Sequence, residues 1–300
     1  MSGTMKDLYL LCGISKQGHF QALQKEKLWQ EKEALYLGFM YEIREMHPGM
    51  GLRKMYNQFV PEGIGRDAFI ALGLREGFRL SVRANPSRTT YSYKGHRYPN
   101  LLIGRRFTSV NQIWSSDITY FPLNGRYYYI TLIMDVYSRR ILGYSLADNM
   151  RAENNVFALK IALNQRGIQD YENQLIHHSD KGSQYISDDY TQLLEDFGIQ
   201  ISMCQEVLEN AHIERVNGTI KNEYLHQWDI QNLKNLQDCV KKAVDNYNNR
   251  SHNSLNGKTP NQFEAFIKEI PNEKREILQI FTYEKNSKNN PNQITLFGGV

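Results

Sequence analysis

The chain has 300 residues, enough for one large domain or two to three smaller ones, and its 41% hydrophobic and 23% charged residues are typical of a globular protein. Its three cysteines lie far apart, and no segment has the apolar length of a signal peptide or a membrane span. These features argue against a disulfide framework, a structural zinc site and a membrane protein, and they predict a soluble, cytoplasmic protein.

The first 74 residues predict a helical region. Helices are expected over residues 7–12, 16–25, a segment ending at Met46, 52–59 and 66–76. Gly13-Ile14-Ser15 separates the first pair, with Ser15 as the helix N-cap, and Val60-Pro61-Glu62-Gly63 separates the last pair. Two successive helix-turn-helix candidates fit a module that places a helix in the DNA major groove, although any small helical bundle has the same pattern.

Residues 75–109 predict a basic linker. From Arg75 to Arg106 there are eight Lys and Arg residues and one acid, a net charge of +7, so the rest of the chain sums to −3. Tyrosines interleave with these basic residues, which indicates a nucleic-acid contact, although a solvated linker has the same composition. The candidate DNA-binding residues here are Arg88, Lys94, Arg97, Arg105 and Arg106.

From residue 110 the pattern changes to apolar strands that alternate with helices. Strands are expected over residues 113–121, 127–136, 140–146, 174–177 and 199–203, and helices over 153–165, 188–197, 209–224 and 232–247. Asn124-Gly125 is a strong signal for a hairpin between the first two strands. This order predicts an α/β domain of the RNase-H-like type over residues 110–270, with a mixed five-stranded sheet. Residues 271–300 predict a polar, loosely ordered tail.

Three carboxylates are candidates for a metal site. Asp117 interrupts an apolar strand, where a charge is costly unless it is paired or binds a cation. Asp180 follows the end of another strand, and Glu214 falls within a helix. Each acid alone also fits a turn, a cap or a solvated face. Together, three hard oxygen ligands would suit Mg²⁺ or Mn²⁺, and two such ions about 3.5–4 Å apart promote phosphodiester displacement.

Five ordered segments carry a family resemblance: WSSDITY, YYYITLIMDVYSRRILGYSL, IHHSDKGSQY, ENAHIERVNGTIKNEYL and YNNRSHNSLNGKTP. In order and spacing they resemble the second-frame transposase of the IS-three family of bacterial insertion sequences, which belongs with the retroviral integrases. The upstream strings MHPGMGLRKMYNQF and YPNLLIGRRFTSVNQIW are also similar to that family. The resemblance covers about residues 5–267, and five motifs in one order make it specific.

The resemblance implies an integrase-type core with a D-D-E triad formed by Asp117, Asp180 and Glu214 and loaded with two Mg²⁺ or Mn²⁺ ions. Only 33 residues separate Asp180 from Glu214, two fewer than is usual in the family, and Glu209 is the competing third ligand. Helical spacing places Asn217 and Lys221 on the same face as Glu214, so both are candidate DNA contacts.

The function implied is cleavage and strand transfer at the ends of an insertion sequence. The implied partners are duplex DNA (terminal inverted repeats and target), further copies of this chain as a homo-oligomer, and a first-frame protein that acts separately or through a frameshift fusion. The resemblance also places the protein at the bacterial nucleoid. Two alternatives remain: a catalytically inactive DNA-binding regulator, and an RNase-H-type nuclease.

Overall fold

The computed structural model describes residues 4–81, 98–204 and 210–280, and the chain divides into two compact units between Ser81 and Val82. The first unit is helical. Its helices are α1 (Met5–Leu11), α2 (Lys16–Met46), α3 (Leu52–Phe59) and α4 (Arg66–Arg75). Tyr36, Met40 and Ile43 on the second half of α2 pack with apolar residues of α3 and α4 in one small core.

The helix boundaries at two predicted breaks are confirmed. Ser15 caps α2 by accepting a hydrogen bond from the backbone N–H of Gly18 at 3.0 Å, and Val60 ends α3 in the left-handed region with φ 46°. The prediction of two separate helices before Met46 is wrong, because α2 is a single helix of 31 residues. Apart from Trp29, residues 26–35 are good helix formers, and the segment has no Gly or Pro, so nothing interrupts the helix there.

The second unit, described over residues 98–204 and 210–280, is built on a mixed five-stranded sheet. The five strands of this sheet are β2 (Ile113–Leu123), β3 (Arg126–Asp135), β4 (Ile141–Ala147), β5 (Ile176–Ser179) and β6 (Gln200–Met203). Two short strands, β1 (Arg106–Phe107) and β7 (Leu278–Gln279), pair separately. The order is β4-β3-β2-β5-β6, with β2, β3 and β4 antiparallel and with β5 and β6 parallel to β2. Asn124 and Gly125, both at positive φ, join β2 to β3 as predicted. The predicted fold class is confirmed.

Helices cover both faces of this sheet. They are α5 (Ala152–Arg166), α6 (Asp188–Asp196), α7 (Ala211–Thr219), α8 (Leu233–Asn248) and α9 (Pro260–Glu269). Helices α5 and α6 form one core with Trp114 and Ile133 of the sheet, and α7 and α8 form another with Phe121 and Leu132. The sequence did not predict α9, which joins the second of these cores through Phe263.

The structure extends the core unit beyond the predicted boundaries at residues 110 and 270. The short strand β1 pairs antiparallel with β7, and Leu102 and Leu278 are buried. The Tyr137 hydroxyl donates to the carbonyl of Glu276 at 2.9 Å. Residues 98–109 were predicted as linker and residues 271–280 as tail, but both segments belong to the core unit. The reason is that apolar side chains of both segments are buried in its hydrophobic core.

Within residues 4–81, 98–204 and 210–280, no helix is both long and apolar enough to cross a lipid bilayer.

Candidate active site

Strand register brings Asp117 and Asp180 side by side. Strands β2 and β5 run parallel, and their last paired residues are Ser116 and Ser179. Asp117 and Asp180 are the next residue on each strand, at the carboxyl end of β5. Beyond this point β2 continues to Leu123, paired only with β3. The two carboxylates thus lie where α/β sheets commonly carry their sites, at the end of parallel strands.

Asp117 sits in an environment that disfavours its negative charge. Burial, the largest cause, together with the charges of Asp180 and Glu214 raises the pKa of its carboxyl group to about 7. Two hydrogen bonds oppose them. Asn217 Nδ2 donates to Asp117 Oδ2 at 2.8 Å, and the backbone N–H of Ile118 also lowers the pKa of this carboxyl group. A carboxylate held among other carboxylates in this way would be stabilised by a cation.

Asp180 is held by the turn that follows it. The backbone N–H of Gly182 donates to its Oδ1 at 3.0 Å, while burial raises the pKa of the carboxyl group. A Cβ at Gly182 would lie 3.0 Å from that same oxygen, so a side chain here would crowd the carboxylate. Farther along the turn, the buried Tyr185 hydroxyl is 2.9 Å from Ser116 Oγ. This hydrogen bond ties the Asp180 turn to the strand that carries Asp117.

Helix α7, which carries Glu214, is anchored to β2 through Asn210, the residue immediately before the helix. Ser115 Oγ hydrogen-bonds Asn210 Oδ1, and Asn210 Nδ2 donates to the carbonyl of Ser116 at 3.0 Å. Asn210 occupies the N-cap position of α7 and is buried. We did not single it out in the sequence, although an asparagine immediately before a helix is a recognisable signal.

Glu214 is exposed in the first turn of α7 and acts on Asp117 through its charge. In the part of the chain that the structure describes, no three His, Cys, Asp or Glu side chains come together as a metal-binding group. The arrangement that the structure describes is thus a pair of neighbouring aspartates, Asp117 and Asp180, with the charge of Glu214 acting on Asp117. The competing ligand, Glu209, lies outside the described residues.

Arg139 and His212 make a second anchor for α7. A guanidinium nitrogen of Arg139 lies 2.6 Å from His212 Nδ1, and both side chains are largely buried. Burial lowers the pKa of His212 well below its usual value, and the positive charge of Arg139 lowers it further. The imidazole is therefore neutral and accepts from the guanidinium, which links the β3–β4 turn to the helix of Glu214.

Asn217 and Lys221 differ in their suitability as DNA contacts. Asn217 is only 4% exposed and is directed at Asp117, and its Oδ1 has no hydrogen-bond partner among the described residues. The structure thus gives Asn217 a contact inside the site, on the face that it was predicted to share with Glu214, and its role as a DNA contact stays a prediction. Lys221 lies in a π-helical turn (Ile220–Tyr224), and its Nζ is 5.2 Å from the ring centre of Tyr120. Burial lowers the pKa of Lys221, and the charge of Asp117 opposes that effect.

The predicted basic contacts upstream are only partly described. Arg105 and Arg106 are exposed at β1, and Arg105 donates to Gln200 Oε1 at 3.4 Å. Arg88, Lys94 and Arg97 lie outside the described residues.

The two histidines that precede Asp180 are satisfied core residues. His177 Nε2 is 2.9 Å from the Tyr190 hydroxyl, and burial lowers the pKa of His177 to about 3. His178 Nδ1 is 2.9 Å from Ser202 Oγ. Both imidazoles are buried, and their hydrogen bonds lie within the core.

The mixed sheet, with acidic side chains at the carboxyl end of its parallel strands, is that of an integrase-type polynucleotidyl transferase core. The integrase core domain family matches residues 108–207, and a second integrase core domain pattern matches residues 198–260. The chain is 32% identical over 224 residues to the transposase of insertion sequence element IS629 from Shigella sonnei, covering 72% of this chain and 73% of the relative.

Two further relatives match over more of the chain. The 31 kDa protein of insertion element IS600 from Shigella sonnei is 29% identical, over 84% of this chain and 95% of its own length. The transposase InsK of IS150 from Escherichia coli is 27% identical, over 82% and 87%. The chain belongs to the IS-three family of insertion-sequence transposases, and its function is DNA transposition. Nothing in these relatives favours an inactive regulator or an RNase-H-type nuclease, and nothing supports the predicted first-frame partner.

Proposed function

We propose that Asp117, Asp180 and Glu214 are the catalytic carboxylates of this transposase and hold two Mg²⁺ or Mn²⁺ ions during strand cleavage and strand transfer at the element ends. The observation that carries the proposal is the strand register. It sets Asp117 beside Asp180 at the end of β5, with the Glu214 charge close enough to act on Asp117.

The side chains at this position fit a hard divalent cation. All three candidate ligands offer carboxylate oxygens, which Mg²⁺ and Mn²⁺ prefer. The Oδ1 atom of Asn217 is buried beside Asp117 without a hydrogen-bond partner among the described residues, and it could accept from water in a hydrated cation's shell. A cation would also remove the repulsion that raises the pKa of Asp117.

Divalent ions bound there would supply Lewis-acid activation of the attacking oxygen and stabilisation of the leaving oxygen. The protein's own residues fix the geometry. Asn217 orients one oxygen of Asp117, and the Gly182 N–H orients one oxygen of Asp180. Lys221, near Asp117, offers a positive charge for a DNA phosphate beside the bond that breaks.

The test is DNA cleavage and joining with Mg²⁺ in single variants. Asp117→Asn, Asp180→Asn and Glu214→Gln should each abolish both reactions and leave DNA binding measurable. The control is Glu195→Gln, an exposed acid on α6, which should retain full activity. Full activity of Glu214→Gln together with a dead Glu209→Gln would move the third ligand to Glu209.

We also propose that the helical unit recognises the element ends, with α3, the following turn and α4 as the helix-turn-helix. Arg53 is exposed on α3 and offers a positive charge to the duplex. Arg53→Glu in the full chain should weaken binding to end DNA and lower its salt dependence, since each lost phosphate contact removes about one unit from the salt slope. Arg151→Glu, the same charge reversal at an exposed arginine of the core unit, is the control. Equal losses in both variants would refute the assignment.

Homo-oligomer formation completes the proposal, because joining two element ends requires a catalytic site at each. Light scattering of the chain with end DNA should give a mass above one chain per complex. A mass of one chain with normal strand transfer would contradict it.

A further inference from the structure

One face of the β2–β3 hairpin carries three tyrosines. Tyr120 pairs with Tyr129 across the hairpin, and Pro122 pairs with Tyr127. Residues directly opposite each other in an antiparallel pair share a face, and residues two apart along one strand share it as well. Tyr120, Tyr127 and Tyr129, here named the tyrosine strip, therefore lie on the same face.

The tyrosine strip is open at its outer end. Tyr127 is 57% exposed, although it is a large aromatic side chain. Its ring stands at 89° to the ring of Tyr120, with centroids 5.3 Å apart. Lys221 Nζ lies 5.2 Å from the centre of the Tyr120 ring. The strip thus combines an accessible aromatic ring at its outer end with a cationic side chain at its inner end.

The strip lies close to the candidate active site along β2. Tyr120 is three residues from Asp117, about 10 Å at the usual rise of a strand, and Tyr127 lies opposite Pro122, about 17 Å from Asp117. This spacing puts the strip and Asp117 on opposite faces of β2. Strand β5 ends at Ser179, so beyond Ser116 no described strand pairs with this edge of β2, and the two faces meet around it. Lys221 connects the tyrosine strip with the candidate active site, because its ammonium group approaches the Tyr120 ring and also interacts with the charge of Asp117.

We propose that the tyrosine strip binds unpaired bases of the DNA strand next to the bond that is cleaved, by stacking on Tyr127 and Tyr120. This inference rests on the proposed catalytic role of Asp117. The two rings lie about 10 and 17 Å from Asp117 along β2, so they would meet bases within a few nucleotides of the scissile phosphate. Aromatic side chains bind unpaired bases of any sequence, because every base has a π face. Bases within an intact duplex are stacked on each other, so the strip selects frayed or single-stranded DNA.

The charge beside the strip favours DNA over a second copy of the chain as the occupant. Lys221 lies against the Tyr120 ring. A DNA strand would offer bases to the rings and phosphates to this cation. A protein partner would instead need an acidic residue to meet the charge.

The experiment compares two fluorescent DNA probes with the full-length protein and no added metal, so that no cleavage occurs. One probe is a short duplex with an unpaired extension of about five nucleotides that contains 2-aminopurine, and the other is the same duplex with blunt ends. The wild type should bind the extended probe more tightly and quench its fluorescence. Tyr127→Ala should reduce that preference about fivefold or more and leave blunt-duplex affinity unchanged. Tyr127→Phe, which keeps the ring, should retain the preference. The control is Phe157→Ala, which removes an equally exposed ring (59%) from α5 and should change nothing.

An unchanged preference of Tyr127→Ala for the extended probe would overturn the proposal, and so would an equal loss of that preference in Phe157→Ala. A third contrary result is a Tyr127→Ala protein with an intact preference but a smaller mass in light scattering. The last would identify the strip as a contact between chains. Failure of the catalytic assignment would be seen separately, as cleavage by Asp117→Asn in Mg²⁺.

Discussion

Replacing Asp117 by Asn should stabilise the protein when no divalent metal is present. The buried carboxyl group has a pKa of about 7, compared with its ordinary value of 3.8, so the folded state holds its proton more tightly than the unfolded state does. As pH rises from about 4 to 7, the unfolded chain releases this proton first, and the wild type loses stability. The amide has no charge and escapes this loss.

The magnitude follows from the pKa. Each pKa unit corresponds to about 1.4 kcal/mol, so full ionisation of Asp117 costs the folded state at most about 4 kcal/mol above pH 7. Partial exposure of the side chain and relaxation of the site reduce this, and we expect about 2–4 kcal/mol. The hydrogen bond from Asn217 survives, because the amide keeps an acceptor oxygen.

Urea unfolding in EDTA at pH 4 and pH 8 measures the effect. Asp117→Asn and the wild type should be nearly equal at pH 4, and the variant should be more stable at pH 8. Added Mg²⁺ should then stabilise the wild type much more than the variant, because ligand binding to the folded state shifts unfolding. A variant less stable than the wild type at pH 8, or a stability difference independent of pH, would refute the reasoning.

Four further substitutions test the packing around the site. Gly143→Ala should cost about 3 kcal/mol or more in a thermal melt, since its Cβ would lie 2.1 Å from a backbone oxygen of α5. Gly218→Ala, with open space around it, should instead stabilise α7 by up to about 1 kcal/mol. Glu264→Gln should destabilise the fold by about 3 kcal/mol in urea, because it leaves the buried charge of Arg166 less compensated; a neutral effect would show that this ion pair is dispensable. Asn210→Ala should cost about 1–3 kcal/mol and reduce cleavage, because it releases the start of α7; unchanged cleavage would show that this anchor does not position Glu214.

Local signals predicted most of the core sheet and its helices. The Asn124-Gly125 turn and the apolar runs on either side determined the β2–β3 hairpin. The placement of Asp180 just after a strand was also readable, because apolar strands end visibly in the sequence, and Asp117 was readable as a charge within an apolar strand. Parallel pairing of β2 with β5 then makes the two residues neighbours.

Contacts between distant residues were not readable. The hydrogen bond from Asn217 to Asp117 joins residues 100 positions apart, and helical periodicity alone placed Asn217 on the Glu214 face without identifying this partner. The pairing of β1 with β7 links two segments that each look polar and irregular. A strand of two residues has too little sequence to show a period, so only the folded core identifies it.

Manganese binding tests the central claim most directly. Electron paramagnetic resonance of Mn²⁺ titrated into the full-length protein with end DNA should show two bound ions per active site in the wild type and in the surface control Glu195→Gln. Asp117→Asn and Asp180→Asn should lose this binding and still retain DNA. Wild-type Mn²⁺ binding in a double Asp117→Asn/Asp180→Asn variant would show that the metal site lies elsewhere.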